Sequence, residues 1–407
     1  MRIAAWHNLP SGGGKRVLQY HLKGLAQRGH HIKFWHPPVP DNDFADLSVA
    51  GEEREVPLAV LPRTHRELIN LARHARRARF DVRAMKEHCE RCAQEIEAEP
   101  WDVLFTNTCR GFGAPFLGRY TSLPKILYLQ EPHRPLYEPL PRLPWVALPE
   151  EVQRDWSFRG VKTRLRDLAD VASARLRGRE EQINAKAHDQ ILVNSLFSRE
   201  AVLRAYGVDS RVCYLGIDTS LFRDLSLPRE RVVVGLGSIV SAKNVELAIR
   251  AIGAMPNPRP PLHWIGNMVD GPFPAKMNKL AEELEVDFRI TVMASDEELV
   301  EILNRASAMI YAPRLEPFGM APLEANACGC PVVAVAEGGV RETIEPGRNG
   351  FLAVSDPVAV AEQLSRLLED PALAERMGRE AQELVRTKWN LEGAVDRVEQ
   401  EIMRVVG

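Results

Sequence analysis

Two glutamates, Glu316 and Glu324, stand eight positions apart in RLEPFGMAPLEANACGC, residues 314–330, on either side of a Pro-Phe-Gly-Met-Ala-Pro turn. Ionised carboxylates accept hydrogen bonds strongly, and the vicinal hydroxyls of ribose and hexose are ligand groups that offer such donors. Pro322 is tolerated only in the first turn of a helix, so a helix is predicted to start between Phe318 and Ala321, with Glu316 in the loop and Glu324 inside the helix. Even with every intervening residue helical, eight steps of about 1.5 Å separate the two acids by only ~12 Å. One extended nucleotide sugar spans that distance, and the free N–H groups between the acids suit its diphosphate. Taken singly, neither acid demands a ligand, because a helical glutamate can be solvated and a loop glutamate can cap a turn.

Two further stretches could hold a phosphate. LPSGGGKRVLQYHLKGLAQRGH places Gly12, Gly13 and Gly14 between an apolar run and a helical pattern. Glycines there let backbone approach a ligand, and a helix N-terminus offers N–H groups and positive potential. The loop is neither a Walker loop nor the dinucleotide fingerprint, and a glycine turn without a ligand reads equally well. In VVVGLGSIVSAKNVELAIRAI, Lys243 falls at the start of a predicted helix, where a cation opposes the macrodipole unless an anion lies nearby. The alternative is an exposed lysine tolerated at small cost.

These residues need strands to carry them. The apolar runs RIAAW, HIKFWH, VLFTN, KILYLQ and QILVNS precede residue 225, and VVVGLG, PLHWIG, FRITVM, AMIYAP, PVVAVA and GFLAV follow it, separated by helix-length segments. That alternation predicts an α/β chain with a parallel sheet in each half. With 407 residues, two domains are expected, with a ligand crevice between them beyond the carboxyl ends of the strands. The hinge is placed in DTSLFRDLSLPRERVVVG. Leu391, Val395, Val398, Ile402 and Val405 line one face of a closing helix that must dock on something.

Composition is that of an ordinary globular protein, with 45% hydrophobic and 27% charged residues. The net charge of −2 hides an asymmetry, +6 over residues 1–225 and −8 over residues 226–407. Six cysteines make no disulfide scaffold, and Cys89 and Cys92 in HCERC read as part of a charged helix rather than a zinc or redox motif. Asp41-Asn42-Asp43 reads as a loop, not a metal site. There is no apolar run of about 18 residues and the N-terminus does not read as a secretory signal, so a cytoplasmic location is expected. Two basic stretches, residues 61–88 and DWSFRGVKTRLRDLADVASARLRGR, open a peripheral contact with the inner membrane face. The second carries Trp156, Phe158, Val161, Leu165 and Leu168 at roughly helical spacing. The other reading is a solvated basic helix packed by its apolar side.

The pattern Glu316-Pro317-Phe318-Gly319 followed by Glu324 resembles the E-x7-E signature of retaining family-4 (group 1) glycosyltransferases. The resemblance extends to residues 187–222, with Asn194-Ser195, Tyr206-Gly207 and Gly216-Ile217-Asp218, and to GSIVSAKN, ACGCPVVAVAEGGVRETIEPGRNGFL and the closing helix. It implies the GT-B fold: an acceptor-binding Rossmann-like domain over 1–222, a donor-binding one over 223–387 facing it across a cleft, and a helix over 388–407 crossing back. The activity implied is hexosyl transfer from a nucleoside-diphosphate sugar, GDP-mannose or a UDP-hexose, to a glycan, lipid-linked or small-molecule hydroxyl, with no cofactor, no metal and no nucleic-acid partner.

By the same resemblance Glu324 binds ribose hydroxyls and Glu316 contacts the donor hexose near the reacting carbon. The backbone of Phe318, Gly319, Met320 and Ala321 surrounds hexose and distal phosphate, Lys243 neutralises the diphosphate, and Gly13 and Gly14 approach from the first domain. Departures are equally specific. Ser238, in Gly237-Ser238-Ile239, stands where the family often has a phosphate-binding arginine, so leaving-group stabilisation rests more heavily on Lys243. KILYLQEPHRP offers both Gln130 and His133 for a family histidine that reaches the donor sugar, and His133 is the choice carried forward. An epimerase lacks this turn and a glycogen-synthase-like transferase usually has Lys-Thr-Gly-Gly instead of SGGGK. A silent nucleotide-sugar-binding subunit is the rival from another class.

Overall fold

The computed structural model describes residues 1–38, 45–59, 71–139, 142–267 and 271–407, with side chains of 71–76 also left aside. Asp41-Asn42-Asp43 and residues 61–70 of the first basic stretch lie outside the described residues. By contacts the chain forms two compact units. One comprises Met1–Asn194, Ser198–Cys213 and Arg397–Gly407; the other comprises Ser195–Phe197 and Tyr214–Asp396.

The first unit holds seven strands, β1 (Arg2–Trp6), β2 (His31–His36), β3 (Glu52–Glu55), β4 (Val103–Asn107), β5 (Lys125–Tyr128), β6 (Gln190–Val193) and β7 (Arg211–Val212). Their order is β3-β2-β1-β4-β5-β6-β7 and every pairing is parallel. The second unit holds β8 (Glu230–Leu236), β9 (Leu262–Gly266), β10 (Phe288–Val292), β11 (Ala306–Tyr311), β12 (Val332–Val335) and β13 (Gly350–Ala353), in the parallel order β10-β9-β8-β11-β12-β13. In each sheet the order reverses beside the first strand, which is the doubly wound arrangement. Central strands such as VLFTN and VVAV are buried at every residue, as sheets covered by helices on both faces require.

All eleven apolar runs named from sequence are strands. The edges β3 and β7 escaped that pattern: EERE is wholly exposed and pairs only with β2, and β7 is two residues long. Charged, short edges resist pairing with other chains.

The division falls after Cys213, ahead of the boundary expected at residue 222. The intervening segment packs within the second unit: the Ile217 N–H donates to the Trp389 carbonyl at 2.8 Å, Tyr214 meets Trp389 edge-on at 5.3 Å, and Phe222 is buried. For the same reason the return to the first unit starts at Arg397 and not at 388. In the helix Leu391–Val406, Val398 and Ile402 are buried, and Glu399 accepts from Arg28 at 2.6 Å and pairs with His30 at 2.7 Å. Cys89 and Cys92 lie on the helix Leu71–Glu97 inside the first unit's core, where burial pushes the Cys92 thiol up to about 12. They are core-filling residues.

Candidate donor site

In the second unit β11 ends at Tyr311, and the chain passes through Arg314 and Leu315 to Glu316 before the helix Met320–Ala327 begins. Leu315 has φ +49°, a left-handed conformation that a branched side chain adopts at a cost of about 1–3 kcal/mol. Neighbouring bonds hold it there. The Gly339 N–H donates to the Glu316 carbonyl at 2.7 Å, Arg314 pairs with Glu337 at 2.7 Å, and Ser195 Oγ donates to the Pro317 carbonyl at 2.5 Å. Gly338 and Gly339 make this backbone-to-backbone contact possible. A Cβ on Gly338 would lie 2.7 Å from the Glu316 nitrogen, and one on Gly339 2.7 Å from the Pro317 carbonyl carbon.

The helix starts where sequence placed it. Gly319, at φ +91°, is its N-cap and has no side chain to cap the first N–H groups; Pro322 sits in the first turn, and Gly329, at φ +70°, follows the last. From Pro322 to Ala327 every residue is buried, so this short helix lies inside the unit. Glu324 is only 8% exposed, a position where glutamate is rare without a partner. Phe318 is turned inward, 5.6 Å from Trp389, which leaves its backbone rather than its ring for a ligand.

Lys243 closes the turn Ser241–Lys243, and Asn244, at φ +52°, opens the helix Val245–Ala254. Its aliphatic stem passes Gly237, where a Cβ would stand 3.4 Å from it. The anion that the macrodipole argument asks for is Glu316: Lys243 Nζ and Glu316 Oε2 are 2.8 Å apart, with side chains 26% and 18% exposed. Ser238 Oγ donates to Asn267 Oδ1 at 3.0 Å.

Tyr311 was missed by sequence reasoning. It is buried, and burial with the charges of Glu316 and Glu324 pushes its hydroxyl well above the usual phenol range, so it remains a donor available to Glu316. The available signal was a hydroxyl at the carboxyl end of a predicted strand, beside the motif. Lys243, Glu316, Tyr311 and Glu324 thus form one cluster in the second unit.

The remaining predicted residues belong to the first unit and are described within it. The helix Gly13–Gln27 follows β1 across the loop 7–12; a Cβ on Gly13 meets nothing within 4 Å, whereas one on Gly14 would touch Gln130 Nε2 at 3.3 Å. Gln130 is therefore the side chain against the glycine loop. His133 precedes a short helical turn, and its N–H donates to Glu181 Oε1 at 3.0 Å. Burial, then Arg177, lowers its imidazole from the usual histidine range.

Glu181 carries no sequence signal, since REE in a basic helix reads as solvated. It is fully buried, accepts from Tyr206 at 2.7 Å and Tyr137 at 3.3 Å, and burial raises its carboxyl to about 7 against those bonds and Arg177. A folded-state value above the unfolded 4.5 means stability that is present below 4.5 and lost as pH rises to about 7. Measured against Glu181→Gln, the wild-type thermal midpoint is expected to fall across that window and level off above it; a constant difference would contradict the assignment.

Residues 218–384 match the family model described as glycosyl transferases group 1. Over those residues the chain is similar to group 1 glycosyltransferases. Across 250 residues, 54% of this chain and 57% of the relative, the sequence is 31% identical to a D-inositol 3-phosphate glycosyltransferase of Thermomonospora curvata. It is 25% identical over 254 residues to alpha-1,3/1,6-mannosyltransferase ALG2 of Mus musculus, covering 56% of this chain and 61% of that protein. The chain thus spans about three-fifths of the length of these curated relatives. Among solved structures, sucrose-phosphate synthase from Thermosynechococcus elongatus aligns over 100% of this chain and 99% of its own at TM-score 0.72 and 21% identity. Anabaena HepE in complex with UDP-glucose aligns over 99% and 100% at TM-score 0.69 and 15% identity. Such likeness speaks to fold, and with the two parallel sheets the fold is GT-B. Among the described residues, no helix is long and apolar enough to cross a membrane, and no group of three His, Cys, Asp or Glu side chains could hold a metal ion.

Proposed function

We propose that the chain is a retaining, metal-independent hexosyltransferase that takes its sugar from a nucleoside-diphosphate donor bound by the second unit. The observation that carries this reading is the cluster around the uncapped start of the helix Met320–Ala327: the Lys243–Glu316 pair at one end, buried Glu324 inside the helix, and the backbone of Phe318, Gly319, Met320 and Ala321 between them. Glu324 accepts the ribose hydroxyls, Glu316 the hexose hydroxyls, and Lys243 with the helix N–H groups takes the diphosphate. Gly13, Gly14 and either Gln130 or His133 serve the transfer from the first unit, which takes the acceptor. Ser238 contributes a hydroxyl rather than a charge.

In the reaction the bond from the anomeric carbon to the diphosphate oxygen breaks and its electron pair leaves with the diphosphate, where Lys243 and the N–H groups stabilise it. The acceptor oxygen forms the new bond on the same face, and its proton passes to a diphosphate oxygen. Thermal-shift screening with UDP, GDP and their sugars tests the reading, because a bound ligand raises apparent stability. UDP-glucose in HepE and the mannosyltransferase named above keep both UDP-hexoses and GDP-mannose in the screen. Glu324→Ala is expected to weaken binding of the responding nucleotide about ten-fold or more, as loss of hydrogen bonds to a charged acceptor does; unchanged affinity in a calorimetric titration would remove Glu324 from the site.

Ser238 in place of a phosphate-binding arginine favours one rival, a silent nucleotide-sugar-binding subunit. Nucleotide release from the donor by wild type, lost in Glu316→Ala, separates an enzyme from that subunit.

The acceptor reading includes a peripheral membrane contact. On the helix Phe158–Lys186 the apolar side is not packed away: Phe158 is 87% exposed, Leu168 65%, and Trp156 just before the helix 81%. The Arg164 guanidinium lies 4.4 Å over the Trp156 ring, and Arg159, Lys162 and Arg166 are exposed alongside. Exposed aromatics flanked by cations suit an anionic lipid interface and a lipid-linked acceptor. Flotation with phosphatidylglycerol-containing vesicles is expected for wild type and reduced for Trp156→Ser/Phe158→Ser; no flotation of wild type would count against membrane contact.

A further inference from the structure

The donor-site reading leaves one electrostatic conflict, and the inference drawn from it rests on that reading. Lys243 has a single ammonium, yet two anions claim it: the Glu316 carboxylate 2.8 Å away and the incoming diphosphate. Both side chains are largely withdrawn from water, so the pair is stronger than an exposed one, and neither charge separates freely unless a replacement partner is at hand. Lys243 finds that replacement in the diphosphate. Glu316 finds it in Tyr311, a buried phenol beside it that stays protonated and whose ring packs against Gly319, where a Cβ would stand 3.3 Å from Tyr311 Cε1.

We propose that Glu316 is an internal counter-ion of Lys243 that the donor's diphosphate displaces, and that Tyr311 is the positioning residue that retains Glu316 once Lys243 has turned to the phosphate. The pair then acts as a placeholder. It keeps Lys243 aimed at the phosphate position without donor, and its opening frees Glu316 to take hexose hydroxyls. Tyr311 makes the exchange favourable by ensuring that the released carboxylate is never left without a donor in a partly buried site.

Calorimetric titration of the full chain with UDP, GDP, UMP and GMP tests this. Wild type is expected to bind one diphosphate. Glu316→Gln, similar in shape but uncharged, should bind that diphosphate about five-fold more tightly, with affinity for the monophosphate unchanged, because only the distal phosphate competes with Glu316. Tyr311→Phe should bind it about five-fold more weakly, since Glu316 then depends on Lys243 alone. In the double variant the Tyr311 effect should vanish, which a merely structural role for the ring would not produce. Equal diphosphate affinity in wild type and Glu316→Gln overturns the counter-ion, and a Tyr311→Phe effect that persists in the double variant overturns the positioning role. Should wild type bind neither diphosphate, the donor-site reading itself fails and the inference falls with it. Thermal midpoints near wild type establish that each variant is folded, and the Glu316→Gln arm decides the counter-ion if Tyr311→Phe is not.

Discussion

Glu316→Ala is expected to lower sugar transfer about 10²–10³-fold, the scale on which a preorganised polar group at the reacting centre acts. Fold should survive: Glu316 lies in a loop and its ion pair with Lys243 is partly exposed, so the loss amounts to about 1 kcal/mol. Diphosphate affinity, by contrast, should not fall, because Lys243 is released. Falling turnover with undiminished nucleotide binding is the signature of a group that acts on the sugar. A variant that retained full transfer would remove Glu316 from the chemistry, and one that lost both properties together would mark it as a general binding residue.

Gly339→Ala should have the second-largest effect, and on stability. The glycine's φ of −76° is ordinary for any residue, so the cost is steric: the new methyl would run into the Pro317 carbonyl, with Phe318 Cα 3.1 Å away. These are backbone atoms fixed by the Gly339 N–H bond to Glu316 and by Ser195, and they cannot rotate aside. A loss of about 2–4 kcal/mol in the second unit is expected, measured as a lowered urea midpoint. Gly347→Ala provides the contrast: its φ of +84° is left-handed, but a Cβ there meets nothing within 4 Å, so only about 1 kcal/mol is lost. Equal losses at the two positions would contradict the account of how the Glu316 turn is held.

The central strands, the helix start at Met320 and the two acids were legible because each depends on local rules: apolar runs of strand length, a proline confined to a first turn, a glycine that ends a helix. What escaped depends on contacts between distant segments. Gly338 and Gly339 are visible as glycines, yet nothing in the sequence says that they pack on Glu316 and Pro317. Lys243 stands out in the sequence as a misfit in want of an anion, and the anion beside it is Glu316. Tyr311 looked like the end of a buried strand. Glu181 reads as a solvated charge in a basic helix and is buried beneath two tyrosine hydroxyls. The ridge from Trp156 to Leu168 ran the other way: its apolar spacing fitted a packed helix equally well, and its exposure favours the interfacial alternative. Edge strands β3 and β7 were hidden because an exposed or very short strand needs no apolar run.

Hydrogen–deuterium exchange of the full chain with and without UDP or GDP tests the location of the donor most directly. Protection by the bound nucleotide is expected in two segments of the second unit, residues 237–245 around Lys243 and residues 316–326 from Glu316 through Glu324, with the latter lost in Glu324→Ala. Binding that protects neither segment would contradict the donor-site account.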